Sequence, residues 1–184
     1  MYSDTDLINA LISLTKCRED IAELLNKGVD IEGTDFQGNT PLRRAAWEGK
    51  TDMVRFLLSR GARDDVSIRD GYSPLLAAAR NGHTEVCQVL VKHGSNLQQQ
   101  HPLTRDSALS NASSGGHHST LLALLSLGAG LDNRAITGFT PLAVAAQNGH
   151  LAVVVSLLQA GADPRHMASG LAVFRFSGNF VSQK

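Results

Sequence analysis

Residues 71–94 read G-Y-S-P-L-L-A-A-A-R-N-G-H-T-E-V-C-Q-V-L-V-K-H-G. Ser73 is a suitable helix N-cap, and Pro74 at the first helical position gives up an N–H that has no partner there anyway. Leu75 to Ala79 are aliphatic or small, so a second helix can lie close against the first. Asn81-Gly82 closes that helix, because glycine adopts the left-handed conformation of a C-terminal cap without steric penalty. Between Glu85 and Lys92, Val86, Val89 and Leu90 follow the i, i+3, i+4 spacing of a one-sided helix, and Gly94 stops it in the same way. One such hairpin buries too little apolar surface to stand alone and must stack on copies of itself.

The copies are present. Pro41 to Pro74, Gly28 to Gly61, Gly49 to Gly82, Gly116 to Gly149 and Gly128 to Gly161 are each 33 residues apart. Gly82 to Gly116 is 34, which places one extra residue in the connection 98–106. The second helices align in columns. Val54, Cys87, Leu121 and Val154 form one, joined by Ile21; Leu57, Leu90, Leu124 and Leu157 form another, joined by Leu24. Leu58, Val91, Leu125 and Leu158 form a third, joined by Leu25. Each column is expected to press into the next unit, every buried side chain contributing roughly 1.5–3 kcal/mol.

Composition narrows the function. Lys and Arg balance Asp and Glu at 17 each, so bulk charge favours neither nucleic acid nor an anionic membrane. Two cysteines, Cys17 and Cys87, are too few for a disulfide framework and read as reduced thiols of a cytoplasmic or nuclear protein. No apolar run is long enough to span a bilayer, and Met1-Tyr2-Ser3-Asp4 lacks the basic-then-apolar order of a signal peptide.

The repeating motifs resemble the ankyrin-repeat family, whose pattern is a 33-residue turn plus two helices with T-P-L-H-x-A. Here it stands as Thr40-Pro41-Leu42-Arg43-Arg44-Ala45-Ala46, Ser73-Pro74-Leu75-Leu76-Ala77-Ala78-Ala79 and Thr140-Pro141-Leu142-Ala143-Val144-Ala145-Ala146. Gly-His recurs at 82–83, 116–117 and 149–150. The resemblance implies an all-α repeat solenoid of helix-turn-helix units joined by β-hairpin or turn loops. Residues 1–166 form the array: a capping repeat at 4–33, repeats at 34–66, 67–99, 100–133 and 134–166, then an atypical tail at 167–184.

The chain departs from the pattern in several places. Arg43, Leu76, Ser110 and Ala143 replace the histidine after the leucine, and Arg44 takes a position where a buried aliphatic is usual. Arg44 either reaches water along its stem or meets an acid. In the third full repeat Ala108 replaces Pro, Arg105 replaces the turn Gly, and Ser113-Ser114-Gly115 is poor helix material. That repeat is expected to be the soft joint of the stack.

Enzyme chemistry finds no foothold. No Ser-His-Asp order, Cys-x-x-Cys pair, phosphate loop or H-E-x-x-H occurs. His83, His117 and His150 fall one unit apart, about 10 Å by the width of a packed helix. Zinc ligands must converge to roughly 2.0–2.1 Å of one ion, so these residues are expected to cap loops, with no metal, cofactor or catalytic residue.

What the resemblance implies instead is a protein or peptide partner held on the concave face, by a chain expected to be monomeric. The family's contact positions are the turn residues before Thr-Pro and the two residues before Gly-His. Carried over, they are Phe36, Gln37, Asn39, Trp47 and Glu48 in the first full repeat, and Arg69, Asp70, Tyr72, Arg80 and Asn81 in the second. The third gives Thr104, Asp106 and Ser114, and the fourth Thr137, Phe139, Gln147 and Asn148. Trp47, Tyr72, Phe139, Arg69 and Arg80 stand out, being aromatic and Arg types enriched at interface hot spots. Trp47 has a second reading, a cation–π seat for Arg80 or Arg43 that needs no partner. The array is expected to act as a scaffold or adaptor, or as the regulatory or targeting part of a larger polypeptide.

Overall fold

Each repeat opens on the same local event. Thr40, Ser73, Ser107 and Thr140 hold extended backbone, and each side-chain oxygen accepts the N–H three residues on, from Arg43, Leu76, Ser110 and Ala143. That satisfies one of the donors a helix start leaves open. A computed structural model describes residues 18–35, 37–64 and 71–165, apart from the side chains of residues 18–20 and Leu24. The four short helices that follow are α2 (Pro41–Trp47), α4 (Pro74–Arg80), α6 (Ala108–Ser114) and α8 (Pro141–Gln147). Their partners are α3 (Thr51–Ser59), α5 (Thr84–His93), α7 (His118–Ser126) and α9 (Leu151–Gln159), and α1 (Arg18–Asn26) precedes them.

Packing runs in two rows. The short helices contact one another in the order α2, α4, α6, α8, and the longer ones in the order α3, α5, α7, α9, while each short helix packs on the longer helix of its own repeat. Alanine makes the inner row possible: Ala45, Ala46, Ala77, Ala78, Ala79, Ala108, Ala112 and Ala145 are buried where backbones approach. The loops between repeats are turns; among the described residues the extended pairing is one isolated antiparallel bridge, Gln100 with Ser107. In every repeat the residue after the Gly donates back into the short helix, as His83 does to the Ala78 carbonyl at 3.0 Å and His117 to the Ala112 carbonyl at 2.9 Å. The turn is therefore copied, bond for bond.

Two of the three columns are buried throughout. Ile21, Val54, Cys87, Leu121 and Val154 line one, and Leu57, Leu90, Leu124 and Leu157 the other. Leu24 lies outside the described side chains. The third column is a correction to the sequence reading: Leu58 is buried, Val91 and Leu125 are half-buried, and Leu158 is 44% exposed. It marks the edge of the seam, and contributes less.

The third full repeat compensates locally for what it lost. Ser107 and Ser110 form a reciprocal capping box that replaces the missing proline's preorganisation. Asn111 Nδ2 donates to the Ser107 carbonyl at 3.1 Å and Ser113 Oγ to the Leu109 carbonyl at 2.7 Å, so the poor helix formers bond back into their own turn. The extra residue widens the preceding turn. Gly38 N–H donates to Asp35 and Gly138 N–H to Ala135, but here Arg105 N–H reaches four residues back to His101 at 2.8 Å. Arg105 takes the left-handed conformation (φ 58°) that Gly38 and Gly138 hold in the other turns. Asp35 accepts the N–H groups of Gln37 and Asn39, and the buried His101 ring accepts those of Leu103 and Thr104 through Nδ1. A ring nitrogen stands in for a carboxylate oxygen.

Candidate partner-binding face

The Gly-His pairs set the backbone of this face. His83 Nε2 lies 2.9 Å from the Trp47 carbonyl, His117 Nε2 3.0 Å from the Arg80 carbonyl, and His150 Nε2 3.0 Å from the Ser114 carbonyl. Each imidazole thus caps the short helix of the repeat before it. The acceptors are three of the residues the sequence singled out for contact. Sequence reasoning had the histidines capping loops; the recurrence was legible, the acceptor one repeat away was not.

Two hollows open beside these anchored residues. The larger, about 570 Å³, is lined by Gln37, Asn39, Arg43, Arg44, Trp47, Tyr72 and Arg80. The smaller, about 250 Å³, is lined by Arg80, Asp106, Ser110, Asn111, Ser114, Gly115 and Val144. Arg80 is shared. Trp47 is 39% exposed, and among the described residues no cation stands on its ring. Arg80 lies instead over Tyr72, its Cζ 5.4 Å from the ring centroid, and donates from Nη1 to the Tyr72 hydroxyl at 2.5 Å. The Tyr72 ring also meets His101, with centroids 4.5 Å apart and planes tilted by 49°. Tyr72 is held from two sides before any partner arrives.

Other contact candidates have internal work. Asn39 is 7% exposed; it donates to Asp35 and accepts from Arg43 Nη1, so it fixes the turn. Glu48 accepts from Arg44 Nε at 2.7 Å, which settles that Arg44 meets an acid. Asn81 donates to the Ala77 carbonyl, and Asn148 to the Ser114 carbonyl across the repeat boundary. Thr104 bridges to Asp106 at 2.6 Å. Gln37, Thr137 and Gln147 are exposed and Phe139 is half-buried; of these four only Gln37 lines a hollow. Phe36, Arg69 and Asp70 lie outside the described residues, as does Cys17. Asp64 accepts a hydrogen bond from Ser95 of the next repeat.

Arg43, Arg44, Ser110, Asn111, Gly115 and Val144 line hollows but were not among the predicted contacts. The signal for Arg43 was present: an arginine replaces the family histidine there. Among the described residues no group of His, Cys, Asp or Glu is arranged to hold a metal ion, and no helix is long and apolar enough to cross a membrane.

Comparison with known proteins places this geometry. The family model for ankyrin repeats (3 copies) matches residues 3–70, 64–134 and 95–168. The chain is 37% identical over 144 residues to the Caenorhabditis elegans ankyrin repeat and KH domain-containing protein mask-1. That alignment covers 74% of this chain and 6% of the relative, so the chain spans a small part of that protein's length. Repeats of this kind are generally protein-interaction modules without catalysis. With paired helices, copied turns and three family matches in succession, the chain belongs to the ankyrin-repeat family.

Proposed function

We propose that this chain is a non-enzymatic protein-binding module that holds a partner protein or peptide on the concave face of its stacked repeats, in the manner of a scaffold or adaptor. The observation that carries the reading is the exposed Trp47 beside Tyr72 and Arg80 at one hollow, with the Trp47 and Arg80 carbonyls anchored from the following repeat. Mechanistically the stack orders these side chains beforehand, so less entropy is lost on association. Four repeats side by side offer a face of the size of a standard interface, roughly 800 Å² per partner. Balanced charge argues against a nucleic-acid partner.

Proximity labelling followed by co-purification tests the reading. The double variant Trp47→Ala, Tyr72→Ala should lose the captured partners, whereas Phe139→Ala, outside both hollows, should keep them. Retention of every partner by the double variant, with helical circular dichroism unchanged, would overturn the proposed face. A second reading, a regulatory or targeting ankyrin domain within a larger cytoplasmic or nuclear polypeptide, is supported by the small share of the relative that the chain spans. An antibody against residues 71–94 that detects only a longer product in cells would favour it.

A further inference from the structure

The chemistry of the larger hollow narrows the partner. Its described lining carries three guanidinium groups, from Arg43, Arg44 and Arg80, and no carboxylate. The charge of Arg44 is already met by Glu48 on the same helix. Arg80 is different: it is exposed, and its side chain's hydrogen-bond partner among the described residues is the neutral Tyr72 hydroxyl. A guanidinium has five N–H donors in a planar fork, so one bond to a phenol leaves most of the fork available. Tyr72 keeps that fork in place by ring and hydroxyl together, while the ring itself rests on His101. The exposed Trp47 indole lines the same hollow.

Resting on the protein-binding reading above, we infer that this hollow takes an acidic segment of a partner protein, one Asp or Glu carboxylate against Arg80 and a neighbouring apolar side chain on Trp47. Planar guanidinium matches carboxylate in a two-bond fork, which a point charge does not. The apolar neighbour supplies the desolvation that makes an otherwise exposed ion pair worth more than the small amount typical of a free surface. A basic segment would face the like charge of Arg80.

Trp47 is the chain's single tryptophan, so its fluorescence reports on the hollow alone. The intact 184-residue chain is panned against a random dodecapeptide library, and the selected peptides are synthesised and titrated by that signal. The expected result is enrichment of Asp or Glu next to an apolar residue, with affinity falling at least about tenfold in Arg80→Gln. Affinity should also weaken between low and high salt. Arg80→Gln keeps a donor for Tyr72 and leaves the Trp47 signal in place, so this variant keeps the fold, which circular dichroism checks. Neutral or basic selected sequences, acidic peptides that bind Arg80→Gln unchanged, or a preference for an oligonucleotide over every peptide would each overturn the inference. If cellular partners are lost in the Trp47, Tyr72 double variant but not in Arg80→Gln, the face stands and the acidic partner does not.

Discussion

Leu122 and Leu124 stand two residues apart in α7 with opposite environments: Leu122 is 46% exposed and Leu124 fully buried. Leu124→Ala should cost about 2–5 kcal/mol through lost transfer energy and the cavity it leaves, and Leu122→Ala below about 1 kcal/mol. Urea unfolding of the two variants checks the contrast. Cys87 carries a pH prediction. Burial pushes its thiol from 9.0 up to about 12. The unfolded chain releases that proton near pH 9 while the folded chain retains it, so this group's contribution is intact below pH 9 and falls as pH rises toward 12. The slope approaches about 1.4 kcal/mol per pH unit. Unfolding curves between pH 8 and 10.5 should show that loss, and Cys87→Ala should remove it. In a Cys17→Ser background, thiol reagent at pH 8 should label Cys87 only after denaturant is added.

At the level of the helix and its cap, glycine and histidine act as a pair. Gly82 has φ +75°, and a Cβ there would come within 2.6 Å of His117 Nδ1. Gly149 has nearly the same φ, +76°, and a Cβ there would meet no atom of the described residues within 4 Å. Gly149→Ala should therefore show backbone strain alone, about 1–2 kcal/mol, and Gly82→Ala strain plus collision. Combining Gly82→Ala with His117→Ala should recover the difference in a double-mutant cycle. In α6 the capping box replaces what Pro gives the other short helices, so Ser107→Ala should cost about 1 kcal/mol. Amide exchange at Ala112 and Leu121 should match that at Ala78 and Leu90. The sequence pointed to a soft joint there because propensity counts serine as a loss wherever it sits. The structure shows Ser107, Ser110 and Ser113 bonded back into their own turn, Ser114 accepting from Asn148 of the next repeat, and Gln98 clasping the repeat after its own through the Gly128 carbonyl and the Gly130 N–H.

For the whole molecule, stability is close to a sum over neighbours, since each longer helix packs chiefly on those before and after it and on its own short helix. Leu157→Ala in α9 should raise amide exchange in α8 and α9 while leaving α2 and α3 protected. Loss of protection throughout the stack would show that the repeats fold as one indivisible unit.

The sequence by itself determined the repeat length, the helix starts, the inner alanine row and two buried columns. Those follow from local chemistry: an N-cap oxygen, a proline, a glycine and an apolar period act within a few residues of where they are written. The tertiary structure decided which side chains meet. It placed Arg80 on Tyr72 rather than Trp47 and turned Asn39 inward onto Asp35, both within a repeat, and it set each Gly-His imidazole on a carbonyl roughly one repeat earlier. The imidazole's acceptor is the carbonyl that the stack brings within about 3 Å, and only stacking makes that choice.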